Sequence, residues 1–211
     1  NALAPVELSV DMRVQHVMHE QLLDAMTRYS AVAAAGVMVD VMTGEVIALA
    51  SVPDFNPNVP ASALVKDSFN RITAGIFEPG SIFKTVTLAG ALDSGAVKIS
   101  DQFDARFGIR FGRFTIDDFH GKHRVLDLSE VYKYSSNIGT IRVMQAMGKD
   151  NFRAFLTEMG FDARVPFELP EMRLPTVPKE LSEVGAATAS FGHGLSVSPL
   201  HMVTAYAAFV N

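Results

Sequence analysis

A β-type pattern over residues 36–51 limits the folds that are open to this chain. Two runs rich in Val, Ile and Ala flank the segment Met42-Thr43-Gly44-Glu45, whose residues favour a turn. This pattern predicts a β-hairpin, which can seed a sheet. The preceding segment, Asp11 to Tyr29, has apolar side chains at offsets of three and four with charges between them, and this spacing predicts an amphipathic helix.

Helical patterns dominate the rest of the chain. Five further segments have helical spacing or helix-capping residues, and glycines follow three of them. The predicted helices run over residues 81–94, 129–134, 138–147, 152–159 and 199–210. Asp127 and Glu130 have the spacing of a capping box at the second of these helices. Residues 103–116 predict short strands or loops, and the proline-rich residues 166–178 predict a loop.

Length and composition exclude several classes of protein. The chain has 211 residues, of which 48% are hydrophobic, and we expect one domain over residues 1–211. A net charge of -5 without a basic cluster argues against a nucleic-acid partner. Cysteine is absent, which excludes disulfides, a thiolate nucleophile and cysteine-ligated zinc. We expect neither a metal nor a cofactor.

The sequence gives no membrane-spanning signal. The longest apolar run, Ala31 to Val39, is far shorter than the ~20 residues that a spanning helix needs. No signal peptide opens the chain, and Asn1-Ala2 is compatible with a cloning scar. We therefore expect any targeting or membrane segment to lie outside this chain.

Ser81 and Lys84 form a candidate nucleophile and base. They lie three residues apart at a predicted helix start, so their side chains share one face and can touch. Lysine can deprotonate a serine only where the neutral amine is favoured, and burial and the positive end of a helix both favour it. In a chain of this composition, the average number of Ser-x-x-Lys pairs expected by chance is roughly one half. Its position after Glu78-Pro79-Gly80, on an apolar helix, favours a catalytic role.

A second candidate is the segment Ser135-Ser136-Asn137, between two predicted helices. One interpretation is that its serine relays a proton to a leaving amine while Asn137 holds a peptide amide. The other is that the segment caps the following helix, since Ser and Asn are preferred capping residues. The segment alone favours capping. The pair His120 and His123 could bind a metal, but a polar turn is favoured because no other ligand lies nearby.

Read in order, these segments resemble the transpeptidase domain of class B penicillin-binding proteins, which cross-link peptidoglycan during elongation and division. The resemblance covers nearly the whole chain, and five ordered matches are far more specific than any one of them. The similar segments are Leu8–Gln15, Asp40–Asn58, Asn70-Arg71 with Glu78–Lys84, Tyr134–Gly139, and Phe191–Leu200.

The resemblance implies an α+β fold, with a sheet between helical layers, an all-helical portion, and an active site in the cleft between them. It also implies that Ser81 is acylated by peptidoglycan stem peptides ending in D-Ala-D-Ala and by β-lactams. Lys84 would be the base, Ser135 would pass a proton to the leaving amine, and Asn137 would hold the substrate amide and Lys84. The expected location is the periplasmic face of the bacterial inner membrane, with cell-wall synthesis or divisome proteins as partners.

The sequence departs from the family in one respect. The third family motif, Lys-Thr/Ser-Gly, does not occur, and Lys84-Thr85 is followed by Val86. We interpret this as a truncation that removes the C-terminal strands, and we expect an unpaired hydrophobic sheet edge and impaired activity of the isolated chain. The alternatives are a serine β-lactamase, a β-lactam sensor domain, and a non-catalytic scaffold. A class A β-lactamase is disfavoured because no Glu-x-x-Leu-Asn segment follows Ser135.

Overall fold

A computed structural model describes residues 6–64 and 68–211. Its backbone contacts divide the chain into two compact units. Unit 1 comprises Asn1–Ile76, Val165–Arg173 and Ser198–Asn211, and unit 2 comprises Phe77–Arg164 and Leu174–Val197. The expectation of one domain over residues 1–211 stays a prediction.

The described residues combine α-helices with short β-strands, as expected for the α+β class. In unit 1 the elements are α1 (Met12–Tyr29), β1 (Ala34–Val39), β2 (Val46–Val52), a 3-10 helix (Pro60–Leu64) and α7 (Pro199–Val210). In unit 2 they are a 3-10 turn (Gly80–Phe83), α2 (Lys84–Asp93), β3 (Gln102–Asp104), β4 (Ile109–Phe111), β5 (Phe114–Ile116), β6 (Val125–Asp127), α3 (Leu128–Lys133), α4 (Asn137–Met147), α5 (Lys149–Glu158) and α6 (Glu183–Ser190).

The six predicted helices are confirmed to within about three residues at each end. The predicted capping box is also present, because Asp127 accepts from the backbone of Glu130 and the Glu130 side chain accepts from the backbone of Asp127. Helix α6 was not predicted from the sequence. Its buried side chains are alanines and a serine, which give too weak a periodic signal to indicate a helix.

Unit 1 is built on the predicted hairpin, which the structure confirms. Asp40 follows β1, and its carboxylate accepts from the backbone N–H groups of Met42 and Thr43. Gly44 follows at φ +78°, a left-handed conformation that glycine adopts without a steric cost. The chain then returns antiparallel, with Val37 opposite Leu49. The turn chemistry thus sets the register that the alternating pattern needs.

The hairpin carries a helix on each face. On one face, a Cβ on Gly36 would meet the side chains of Met18 and Leu22 from α1. On the other face, Val37 and Leu49 pack against a buried cluster that includes Leu200 of α7. The backbone N–H and C=O of Leu49 both bond to the Gln15 side chain, at 2.8 and 2.7 Å. In the described residues this sheet has two strands, and the further C-terminal strands stay a prediction.

Unit 2 is a helical core with small β-pairs beside it. Helix α4 contacts α2, α5 and α6, and seven of its eleven residues are buried. Close approach depends on glycine, since a Cβ on Gly90 of α2 would lie 2.5 Å from the Phe155 ring of α5. β3 pairs with β6 and β4 pairs with β5, both antiparallel, which confirms the short strands predicted around residues 103–116.

No helix within residues 6–64 and 68–211 is both long and apolar enough to cross a membrane.

Candidate active site

All four predicted site residues lie in unit 2. Ser81 sits in the 3-10 turn just before α2 and is exposed. Two residues later, Phe83 is fully buried and packs edge to face on Phe161, with ring centroids 5.2 Å apart. The turn is therefore anchored in the core while the Ser81 side chain faces solvent. Within the described residues, no hydrogen bond occupies the Ser81 hydroxyl.

Lys84 is the first residue of α2, and only 2% of it is exposed. Its Nζ donates to the carbonyl oxygen of Ser135 at 2.5 Å and contacts Ser135 Oγ at 2.9 Å. The amine is thus held by the turn between α3 and α4, 51 residues further along the chain. An amine that donates two hydrogens to these oxygens has one tetrahedral position left for a third group.

Burial changes the acid–base behaviour of Lys84. It lowers the pKa of the Lys84 amine from 10.5 to about 8, and the negative charge of Asp118 opposes this shift. Near neutral pH the neutral amine is therefore populated on the order of a hundredfold more than in an exposed lysine. The pKa of Lys84 is thus shifted in the direction that a lysine base requires.

The sequence left open whether the serine segment caps α4 or contacts the candidate base. In the structure Ser136 makes the cap and Ser135 makes the contact. The Ser136 hydroxyl caps α4 by accepting from the backbone N–H of Gly139 at 2.9 Å. Ser135 instead contacts Lys84, and its backbone is left-handed at φ 53°. A non-glycine residue in this region costs of order 1–3 kcal/mol, so the surrounding contacts must hold it there.

Those contacts come from Asp118, which precedes β6. Its carboxylate accepts from Ser136 Oγ at 2.7 Å and from the backbone N–H of Ile138 at 2.9 Å. The same carboxylate is the charge that acts on Lys84. Asp118 thus fixes the α3–α4 turn and also influences the amine that this turn binds.

Asn137, the first residue of α4, is held by Asp117, which precedes Asp118 in the loop before β6. Its side-chain nitrogen donates to the backbone carbonyl of Asp117 at 3.1 Å. In the described part of the chain, its side-chain oxygen has no hydrogen-bond partner, so it could accept from a peptide N–H. No hydrogen bond joins Asn137 to Lys84 among those residues.

The structure brings Lys84, Ser135 and Asn137 to one turn. The spacing indicated that Ser81 and Lys84 can touch, and this stays a prediction, since no hydrogen bond joins the two side chains in residues 6–64 and 68–211. The Lys84 side chain is directed to the α3–α4 turn because the oxygens of Ser135 satisfy its buried amine.

Sequence reasoning missed Asp117 and Asp118. No spacing rule links an acidic pair in a loop to a helix start about 20 residues later, and only the fold brings them together. The possible metal site at His120 and His123 gains no further ligands, since no group of three or more His, Asp or Glu side chains converges in the described ranges. The ring of His120 contacts the ring of Phe119 at an interplanar angle of 55°, with centroids 4.2 Å apart.

A serine at a helix start, with a buried lysine of lowered pKa that contacts a second serine, is typical of serine acyltransferases with a lysine base. The family model described as the penicillin binding protein transpeptidase domain matches residues 34–211. The chain belongs to this family. The fold agrees, because a solved structure titled a peptidoglycan glycosyltransferase from Burkholderia ambifaria matches with a TM-score of 0.84 and 30% identity, over 96% of this chain and 60% of that one.

Curated relatives carry transpeptidase names. The chain is 36% identical over 207 residues to the probable peptidoglycan D,D-transpeptidase FtsI of Caulobacter vibrioides, covering 98% of this chain and 35% of that protein. It is 32% identical to the probable peptidoglycan D,D-transpeptidase PenA of Neisseria flavescens, over 97% of this chain and 51% of that protein. It is 31% identical to the peptidoglycan D,D-transpeptidase FtsI of Escherichia coli, over 95% of this chain and 34% of that protein. The chain thus spans between a third and a half of these relatives.

Proposed function

We propose that this chain contributes the nucleophile, the base and the proton relay of a peptidoglycan D,D-transpeptidase, and that β-lactams acylate the same serine. The observation that carries the proposal is the contact of the buried Lys84 amine with Ser135, at 2.9 Å. The transpeptidase names of the relatives support the substrate class. The activity is proposed for the whole protein, since the chain spans only about a third to a half of the length of these relatives.

The first half-reaction forms the acyl-enzyme. Ser81 Oγ attacks the carbonyl carbon of the penultimate D-Ala, and neutral Lys84 takes the hydroxyl proton. The negative charge moves to the carbonyl oxygen, where the backbone N–H of Ser81 supplies one donor. The proton then passes from Lys84 Nζ across the 2.9 Å contact to Ser135 and on to the departing nitrogen. The C–N bond breaks, and the terminal D-Ala leaves as a neutral amine.

The second half-reaction reverses these proton movements. The amine of a second stem peptide attacks the ester carbonyl and loses its proton through Ser135 to Lys84. Ser81 leaves and is reprotonated, and a new peptide bond joins the two stems. The free side-chain oxygen of Asn137 is suited to accept a substrate amide N–H in both steps. No cofactor is required.

The location and partners are proposed on the same basis. A protein that cross-links peptidoglycan works on the periplasmic face of the inner membrane, held there by a segment outside this chain. Its protein partners would then be other cell-wall synthesis or divisome components. The Lys-Thr/Ser-Gly motif, which supplies the second oxyanion donor in the family, would also come from outside residues 1–211.

The test is covalent labelling of the full-length protein with a penicillin, followed by intact-mass and peptide analysis. We expect one adduct on Ser81, none in Ser81→Ala, and one in the matched control Ser94→Ala, which alters a serine at the other end of α2. An adduct that persists in Ser81→Ala would contradict the proposal. Absence of any adduct in the wild-type protein would favour the non-catalytic scaffold.

The β-lactamase alternative makes a different kinetic prediction. A transpeptidase releases one equivalent of product from nitrocefin in a burst and then stays acylated, whereas a β-lactamase turns over steadily. Steady turnover that depends on Ser81 would replace the transpeptidase assignment with the β-lactamase one.

A further inference from the structure

The residues before Ser81 are bound to residues 192–197 at three successive points within unit 2. Phe77 and Val197 exchange two backbone hydrogen bonds, both of 3.0 Å. The Glu78 side chain accepts from the backbone N–H of Gly194 at 2.8 Å. The backbone N–H of Gly80 donates to the carbonyl of Gly192 at 3.0 Å. We call these three contacts the Ser81 clamp.

The Gly80–Gly192 point of the clamp is a direct backbone approach. A Cβ on Gly192 would lie 2.1 Å from the carbonyl oxygen of Gly80, and Gly192 is at φ +84°. Both facts require glycine. The peptide immediately before Ser81 therefore lies against the Gly192 backbone with no side chain between them, and any shift of one segment displaces the other.

Glu78 is the one point of the clamp made by a side chain. Gly80 and Gly194, on the two sides of this contact, have φ +59° and +75°. A carboxylate that accepts from a backbone N–H is a short, charge-assisted contact. Glu78 therefore joins the two segments between the backbone pair at Phe77 and Val197 and the close approach at Gly80 and Gly192.

We infer that Glu78 is a positioning residue that, by binding the Gly194 backbone, holds the Ser81 hydroxyl and backbone N–H in the geometry of attack. This inference rests on the proposed acyl transfer at Ser81. Nucleophilic attack is sensitive to small displacements, since a misplacement of about 1 Å can cost on the order of a hundredfold in rate. Glu78 acts through the backbone and makes no contact with substrate.

The experiment measures acylation of the full-length protein by a fluorescent penicillin in stopped flow, which separates the dissociation constant of the initial complex from the acylation rate constant. Glu78→Ala removes the acceptor, and Glu78→Gln keeps an acceptor oxygen. Glu158→Ala, at an exposed glutamate in α5, is the matched control. Two measurements report folding: thermal melting, and the fraction of molecules whose Ser81 is acylated after prolonged incubation with penicillin.

We expect Glu78→Ala to lower the acylation rate constant about 10–100-fold, with the dissociation constant within about twofold and the melting temperature nearly unchanged. Glu78→Gln should recover most of the rate, and the control should match wild type. An unchanged rate in Glu78→Ala, or a loss that appears equally in Glu78→Gln, overturns the inference. A loss fully explained by a smaller folded fraction also overturns it. If the wild-type protein is not acylated, the proposed function fails instead.

Discussion

The Ser136 hydroxyl donates to the Asp118 carboxylate at 2.7 Å and accepts from the backbone N–H of Gly139 at 2.9 Å. One buried hydroxyl thereby joins the loop before β6 to the start of α4. Because Ser136 performs the capping, Ser135 is left free to contact Lys84. The contact between Ser135 and Lys84 therefore depends on a neighbouring residue that fixes the turn.

Replacing Asp118 with Asn should change both the rate and the pH dependence of acylation. The negative charge of Asp118 raises the pKa of Lys84, so its removal lowers that pKa further below about 8. The acid limb of the acylation profile should therefore move to lower pH, while the maximal rate falls because the turn loosens. Stopped-flow acylation from pH 5 to 9 measures both.

Asp104→Asn is the matched control for Asp118, because this carboxylate, at the exposed end of β3, pairs with Arg106. Its profile should coincide with that of wild type. A limb that stays in place in Asp118→Asn would show that Asp118 has no electrostatic effect on the base.

Lys84 should make stability depend on pH. Its pKa is about 8 in the folded chain and 10.5 in the reference state, so the unfolded chain binds more protons between these values. Stability should therefore rise with pH across this window, by on the order of 3 kcal/mol, and show no contribution from Lys84 to the slope well below pH 8. Urea unfolding of wild type and Lys84→Met at several pH values tests this.

The informative quantity is the difference between the two proteins. Lys84→Met lacks the titrating group. The free energy of unfolding of wild type should therefore rise relative to that of Lys84→Met as pH increases from 8 to 10.5. Parallel curves over that range would contradict the assignment of a lowered pKa to Lys84.

Gly192→Ala should impair acylation far more than a surface substitution does. The new Cβ would lie 2.1 Å from the Gly80 carbonyl oxygen, and alanine is strained at φ +84°. We expect the peptide before Ser81 to shift and the acylation rate to fall at least about tenfold. Gly44→Ala, also at positive φ but with nothing within 4 Å, controls for backbone strain alone. Equal acylation rates in the two variants would argue against the close approach.

Gly90→Ala should destabilise the helical core of unit 2. Its Cβ would lie 2.5 Å from the Phe155 ring, and overpacking of this kind costs about 1–3 kcal/mol. The double variant with Phe155→Leu should recover part of that loss, because the smaller side chain leaves room. Chemical denaturation gives both values. Additive losses in the double variant would mean that the two residues are not in contact.

The helices and the hairpin could be predicted from the sequence because local signals specify them. Periodic apolar side chains, the Asp127–Glu130 capping box and the turn at Asp40–Glu45 each act over a few residues. Helix α6 escaped prediction because its buried side chains are small. The Ser81–Lys84 pair and the serine turn were also visible as motifs, but their contact pattern was not.

Local sequence patterns identified the candidate residue types, their order along the chain and the family that they resemble. The packed fold was needed to show that Ser136, and not Ser135, is the serine that caps α4. It was also needed to show that Lys84 binds Ser135 and that Asp118 binds Ser136. These last two contacts join residues 51 and 18 positions apart, and no local propensity records them. Their energy depends on burial, which exists only once the helices of unit 2 have packed.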